Sequence, residues 1–296
     1  MRCGTQSRLN GSVPDVPTVV RTPDELAAVR GEGSVALVPT MGALHDGHVQ
    51  LMKHARPLAQ TLVVSIFVNP TQFAPGEDLD AYPRTLEADL ERCDEAGVDV
   101  VLVPDVATMY PDGTDSGLVV EPGPLGRVLE GEQRPTHFRG VLTVVAKLFG
   151  IVRPEVAVFG EKDYQQLVLI RRMVRELSMG VDVVGCPVVR EADGLAMSSR
   201  NVYLGADDRA RAGVLHRALA AGVDAARSGA DAVLAAARAV LDAEGVDPDY
   251  LALTGSDLRA PVEGQEARLL VAARIGTPRL LDNTGLVLGP TTHEGV

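Results

Sequence analysis

The chain has 296 residues, with 28 Lys and Arg against 40 Asp and Glu, a formal charge of −12. That balance argues against a general nucleic-acid or membrane-surface binder, since both want a basic face. A local basic pocket for a nucleotide remains open. Apolar residues at 46% and charged residues at 23% suit a globular protein of one large or two ordinary domains.

Residues 1–17 mix Gly, Ser, Pro and polar residues and read as a flexible lead-in. Thr22-Pro23-Asp24-Glu25 then reads as a helix N-cap and first turn. Short apolar runs recur at Val35–Val38, Leu62–Val68, Val98–Val103, Val156–Phe159 and Val181–Val184. They are continuous and β-branched, as parallel strands covered on both faces are. Helix-like stretches lie between several of them: Gly47–Leu58, Leu86–Ala96, Gly140–Ile151 and Tyr164–Leu177. This alternation predicts an α/β fold, a doubly wound, Rossmann-like parallel sheet over residues 18–187.

The character changes near Pro187. Asp207–Arg227 and Asp231–Ala243 are Ala-rich helical stretches, the second ended by Gly245. Strand-like runs follow at Tyr250–Thr254, Leu269–Arg274 and Arg279–Leu281. Residues 188–296 therefore read as a second, smaller α+β domain, with nothing assigned beyond Leu286. Cys3, Cys93 and Cys186 are too few and scattered for a disulfide frame or zinc site, and their odd number fits a reducing cytoplasm. Arg2 is followed by no apolar segment of the kind a secretory signal needs. The longest apolar stretch, Val141–Val152, is interrupted by Lys147 and is far short of a membrane span.

Four polar constellations sit at predicted strand ends or at the domain junction. The first is Pro39-Thr40-Met41-Gly42-Ala43-Leu44-His45-Asp46-Gly47-His48. A helix starting near Asp46 leaves backbone N–H groups free for an anion, and Gly42 and Gly47 would let a phosphate come close. His45 and His48, three apart, share one face of the first turn and could stabilise charge on a transferring phosphoryl group. A satisfied polar pair and a metal pair are the competing readings; the metal reading lacks a third ligand beyond Asp46. The second constellation is Phe67-Val68-Asn69-Pro70-Thr71-Gln72-Phe73, whose amides suit a small polyhydroxy acid or merely cap a turn. In Phe159-Gly160-Glu161-Lys162-Asp163-Tyr164-Gln165-Gln166, Lys162 brings an ammonium to the same sheet face and Gln166 lies in the first helical turn. Glu161 and Asp163 also suit a helix N-terminus by charge alone. The last, Gly194-Leu195-Ala196-Met197-Ser198-Ser199-Arg200-Asn201, offers two hydroxyls and a guanidinium for a polyphosphate, or is simply a polar loop.

These motifs, in this order and spacing, resemble the pantothenate synthetase (pantoate–β-alanine ligase) family from about residue 18 to about 285, and His137-Phe138-Arg139-Gly140 is similar to it as well. The His-x-Gly-His turn alone is similar to a broader superfamily of nucleotidyl transferases and class I aminoacyl-tRNA synthetases. The resemblance implies ATP-dependent joining of pantoate to β-alanine through a pantoyl-adenylate, with Mg²⁺ carried on the ATP phosphates. It implies an ATP site formed by Met41, Gly42, Ala43, Leu44, His45, Asp46, Gly47 and His48 on one side. Gly160, Glu161, Lys162 and Asp163 would form another side, and Val189 with Met197, Ser198, Ser199 and Arg200 would close it. His48 is the residue given the acid role, with His45, Lys162, Ser198, Ser199 and Arg200 also acting on the phosphates. Gln72 and Gln166 would bind pantoate, and Gln72 would also lie near β-alanine. A cytoplasmic homodimer with small-molecule substrates, and with neither nucleic acid nor membrane as partner, completes the expectation. The first seventeen residues match no motif, and the loop ending in Arg200 resembles the lysine-rich loop of the synthetases only loosely. A nucleotidyl transferase would want more cations for its second substrate. A non-catalytic ATP-binding protein would be expected to lack some of His45, His48, Lys162 and Arg200.

Overall fold

The computed structural model describes residues 16–77, 79–115 and 117–289; most of the expected lead-in, residues 1–15, lies outside them. Six parallel strands form the first sheet: β1 (Thr18–Val20), β2 (Val35–Thr40), β3 (Thr61–Ile66), β4 (Val100–Leu102), β5 (Val156–Gly160) and β6 (Asp182–Cys186). Their spatial order is β1-β4-β3-β2-β5-β6. β1 is three residues long, too short for a periodicity to reveal it.

The strands alternate sides as period two requires. Val35, Leu37, Val63 and Ala157 join one core with α1 (Pro23–Val29), α6 (His137–Val152) and α7 (Tyr164–Glu176). Ala36, Val38, Leu62, Val64 and Val158 join the other, under α2 (Asp46–Ala55) and α3 (Leu86–Glu95). Both faces are covered, so the strands read as unbroken apolar runs. α1 starts at the expected cap: Thr22 Oγ1 accepts from Glu25 N, and the Glu25 carboxylate accepts from Thr22 N. Two short helices, α4 (Val106–Met109) and α5 (Glu130–Gln133), lie in the long connection from β4 to α6.

A second, antiparallel sheet contains β7 (Tyr250–Gly255), β8 (Glu266–Arg274) and β9 (Arg279–Val287), in that order. The expected Asp207–Arg227 helix is two helices, α8 (Ala206–Ala212) and α9 (Val214–Asp224), broken at Gly213, where helix propensity is poorest. α9 and α10 (Ala230–Ala243) pack on the sheet through Leu215, Leu219, Val233 and Leu241 against Leu269 and Val271. β9 runs well past the expected Leu281, through Asp282-Asn283-Thr284-Gly285. That run has turn chemistry by composition, yet Asp282 and Asn283 are buried with partners described below.

α6 approaches the short 3₁₀ turn Pro70–Gln72 at Gly140. A Cβ there would lie 2.3 Å from the Thr71 carbonyl oxygen and 2.6 Å from Gln72 N. Gly140→Ala gains about 1 kcal/mol of helix propensity. Overpacking against backbone costs about 1–3 kcal/mol and leaves no side chain to yield. The variant is expected to unfold at lower urea than wild type; an unchanged midpoint would mean that α6 is not seated through this glycine.

Candidate active site

The sheet's chain order reverses at β2, with β3 on one side and β5 on the other. Such a switch point, outside the carboxyl ends of the strands, is where open α/β sheets bind ligands. β2 pairs with β5 only at Ala36↔Val156 and Leu37↔Ala157, whereas β2 stays paired with β3 through Thr40↔Ile66. Past Leu37 the two central strands part, and Pro39 has no N–H to continue a ladder. A cavity of about 260 Å³ fills the wedge, lined by Pro39, Thr40, Phe159 and Gly160 at its floor.

The turn after β2 enters the left-handed region at Gly42 (φ 79°) and Ala43 (φ 50°). Buried Asp89 of α3 holds it there, accepting from Ala43 N at 3.1 Å, Leu44 N at 2.7 Å and Thr85 Oγ1 at 3.2 Å. The absent Cβ of Gly42 faces Asp89 and Ile66. Gly42, Ala43 and Leu44 therefore shape the turn from behind and do not line the cavity. Asp46 also points outward, bonded to Arg92 at 2.8 Å. The expected close phosphate approach at Gly42 thus meets the wrong side of the chain.

His45 caps α2. Its Nδ1 accepts from Gly47 N at 3.1 Å, and His48 Nδ1 accepts in return from His45 N at 3.2 Å. This is a capping box made of two imidazoles. Gly47 is required because a Cβ would stand 2.8 Å from the His45 ring. With each Nδ1 used as an acceptor, each neutral ring carries its proton on Nε2. Burial, aided by Lys162 and Arg92, lowers the His45 pKa to about 4. Burial and the neighbouring His45 lower that of His48 to about 3. Both rings line the cavity as neutral N–H donors, their centroids 4.1 Å apart.

The opposite wall is the turn Glu161–Asp163 after β5. Lys162 lines the cavity with its ammonium 3.6 Å from the Asp163 carboxylate. Burial opposes ionisation of Asp163, but Lys162, His137 and Arg200 hold its pKa below the usual range. Glu161 turns to the second sheet and pairs with Arg268 at 2.9 Å. Gln165 and Gln166 both line the cavity, and the buried amide of Gln165 donates to the carbonyls of Leu125 and Val128. The third wall is a hairpin closed by Met197 N donating to Val189 O and by the Arg190↔Ala196 bridge. It brings Val189, Met197, Ser198, Ser199 and Arg200 to the cavity. Ser198 Oγ accepts from Arg200 N at 3.2 Å, which fixes the turn.

Gln72 reaches the cavity from a buried amide network. Asn69 Nδ2 donates to Gln72 Oε1 and to Gly140 O, while Tyr110 and Thr71 hydroxyls donate to Asn69 Oδ1. Asn69 and Gln72 both line the cavity, and the Asn69 amide also orients that of Gln72. Of the residues that hold Gln72 from behind, sequence reasoning missed Arg134 and brought forward His137 only within a motif, with no role. Arg134 and His137 both donate to its carbonyl, and Arg134 forks onto Glu77. Arg139, within the quoted motif, is exposed and pairs with Glu121 instead. Glu130, Tyr250, Asp282 and Asn283 also line the cavity unforeseen. Glu130 accepts from Tyr250 and Arg279 of the second sheet, so that sheet closes the cleft.

Fold and cleft together define an α/β protein equipped for a polyanion beside a small polar ligand. A family model described as pantoate-beta-alanine ligase matches residues 16–285. The chain is 56% identical over 287 residues to the pantothenate synthetase of Saccharopolyspora erythraea, covering 94% of each, and 53% identical to that of Thermobifida fusca, covering 96% of this chain and 100% of the other. A pantothenate synthetase crystal structure from Thermus thermophilus superposes with a TM-score of 0.85 at 48% identity, covering 90% of this chain and 98% of that one. A pantoate-beta-alanine ligase from Francisella tularensis, complexed with beta-gamma ATP and beta-alanine, gives 0.75 at 33%, covering 90% and 97%. The chain belongs to the pantoate–β-alanine ligase family.

The histidines make stability pH-dependent. His45, His48 and His137 have pKa values of about 4, 3 and 4 against 6.5 in the unfolded chain; for His137 the causes are burial and Arg134. Below pH 6.5 the unfolded chain binds more protons, so their contribution is complete above 6.5 and is lost as pH falls toward 4. His48→Gln is expected to flatten stability against pH between 6.5 and 5, by up to about 1.4 kcal/mol per pH unit. Parallel curves from urea titrations would contradict a neutral His48.

Proposed function

We propose that this chain condenses (R)-pantoate with β-alanine, using ATP, to give pantothenate, AMP and pyrophosphate through a pantoyl-adenylate. The observation that carries this is the pairing of two neutral imidazole donors, Lys162 and Arg200 with the amides of Gln72 and Gln166 around one cavity. Family membership and the nucleotide- and β-alanine-bound Francisella relative support the same reading.

In the first step a pantoate carboxylate oxygen attacks the α-phosphorus, and the bond to the β-phosphate oxygen breaks. Charge builds on the α-phosphoryl and on the departing pyrophosphate. His45 and His48 Nε2–H, Lys162, Ser198, Ser199 and Arg200 donate to those oxygens, and no protein nucleophile is needed. A neutral imidazole whose Nδ1 is held by a backbone N–H stabilises charge as a donor; this favours hydrogen bonding by His48 over proton transfer from it. In the second step the neutral β-alanine amine attacks the acyl carbon, the bond from that carbon to the AMP oxygen breaks, AMP leaves, and the nitrogen releases a proton to solvent. Gln72 and Gln166 hold the pantoyl group through both steps.

Mg²⁺ belongs to this reading as a companion of the ATP phosphates, which it neutralises. The donor set fits that role. The phosphate-facing groups are mostly N–H donors, and of the lining carboxylates Glu130 and Asp282 are committed to arginines, which leaves Asp163 beside Lys162. Residues 18–187 would form the ATP- and pantoate-binding domain and 188–296 the lid. A cytoplasmic homodimer completes the reading. Cys93 and Cys186 as buried free thiols support a reducing compartment, and exposed Leu118, Val119 and Val106 on the first domain support a subunit contact. No helix among the described residues is long and apolar enough to cross a membrane.

AMP release should require ATP, Mg²⁺, pantoate and β-alanine together, tested by omitting each in turn. No AMP with ATP binding intact, together with pyrophosphate exchange indifferent to pantoate, would put a nucleotidyl transferase first. Gln72→Ala should raise KM for pantoate by the equivalent of about 1–3 kcal/mol, as an unpaired polar group on the ligand does. An equal rise for ATP would show that the cleft itself had changed.

A further inference from the structure

We propose that Asp282 and Asn283, adjacent on β9, are positioning residues that hold the two cationic walls of the cleft in register with each other. Neighbouring residues on a strand face opposite sides. Here the two sides grip different loops. Asn283 Nδ2 donates one hydrogen to Glu161 O at 3.0 Å and the other to Lys162 O at 2.8 Å. Its Oδ1 accepts from Arg268 Nε at 2.6 Å. The amide has only this orientation, because the arginine can only donate and the two carbonyls can only accept. Arg268 is itself fixed by its ion pair with Glu161 and by lying 4.0 Å over the Tyr164 ring.

Asp282 takes the other wall. Its carboxylate accepts from both Nη atoms of Arg190, at 2.6 and 3.0 Å. Arg190 also donates to Gly194 O and Asn283 O. That guanidinium ties the hairpin carrying Ser198–Arg200 to the same strand. Both residues are almost fully buried. Asp and Asn are poor strand formers, and burying them unpaired would be costly, so strand packing alone does not account for them. Lys162 carries its charge on a flexible stem, and two bonds to its local backbone limit where that charge can go. Misplacement by about 1 Å can cost on the order of 100-fold in rate.

The inference rests on the reading of Lys162 and Ser198–Arg200 as the triphosphate walls. The test is a double-mutant cycle read in pantoate-dependent ATP–pyrophosphate exchange. Asn283→Asp keeps the shape and the acceptor for Arg268 but loses both donors. It is expected to lower kcat/KM for ATP about 30-fold, a misplacement somewhat under 1 Å on that scale. In a Lys162→Ala background the same change should cost less than about 3-fold, because its route to the phosphates is gone. Conversion of preformed pantoyl-adenylate by β-alanine keeps the α-phosphoryl but no pyrophosphate, so it should lose clearly less than exchange does. Equal losses in both backgrounds, or in both half-reactions, would overturn the proposal. If Lys162→Ala alone left exchange unchanged, the reading of that wall would fail first, and the proposal with it. Should Asn283→Asp not fold, Arg268→Lys replaces it in the cycle. It keeps the charge beside Glu161, removes the Nε–H that orients Asn283, and should show the same dependence on Lys162.

Discussion

The parting of β2 and β5 is the constraint on which the rest depends. Two register pairs join the strands and then stop, while each neighbouring ladder continues. A continuous ladder would have brought the histidine and lysine turns side by side and filled the space with backbone. The wedge instead leaves two strand ends facing across a gap, each followed by the start of a helix. The dipoles of α2 and α7 then favour negative charge in the same volume. Lys162 and the hairpin of Met197–Arg200 add formal charge around a cavity that the chain's net charge of −12 gives no hint of.

Little of the site rests on its own element. Asp89 on α3 fixes the histidine turn, Arg134 and His137 fix Gln72, and the second sheet fixes Lys162 and the Ser-Ser-Arg turn. Cleft-facing residues are thereby backed by buried polar groups that are themselves satisfied. Such networks hold geometry well because any missing member leaves a desolvated partner behind. The cleft's shape is accordingly a property of both sheets together.

The five short apolar runs were legible because burial on both faces leaves strands as continuous β-branched runs too short to be helices. Helix ends were legible where chemistry is local, as at Thr22 and Gly245. The extent of β9 was not, since it follows from contacts distant in sequence, and the break at Gly213 was not, because Gly222 has the same poor propensity and stays inside α9. Asp282-Asn283-Thr284-Gly285 has the composition of a turn, but it pairs with β8 from Val271↔Asp282 to Arg268↔Gly285, and Arg190 and Arg268 satisfy its two buried side chains. The same limit applies within the motifs. Position in the chain brought forward His45, His48, Lys162, Gln72 and Gln166. It could not tell that Gly42, Asp46 and Glu161 face Asp89, Arg92 and Arg268, because those partners lie tens of residues away.

The imidazole capping box sets folding and chemistry against each other at two positions. Ser, Asp or Asn caps a helix better than histidine does, and Glu or Gln closes the box from its fourth position. The substitutions that would most improve α2 as a helix are thus the ones that remove both Nε2–H donors. On the proposed reading of those donors, a library of variants selected only for yield or heat resistance would drift toward those residues and lose turnover while gaining stability. Any effort to harden this scaffold should therefore hold positions 45 and 48 constant and seek its gains on the far side of the sheet.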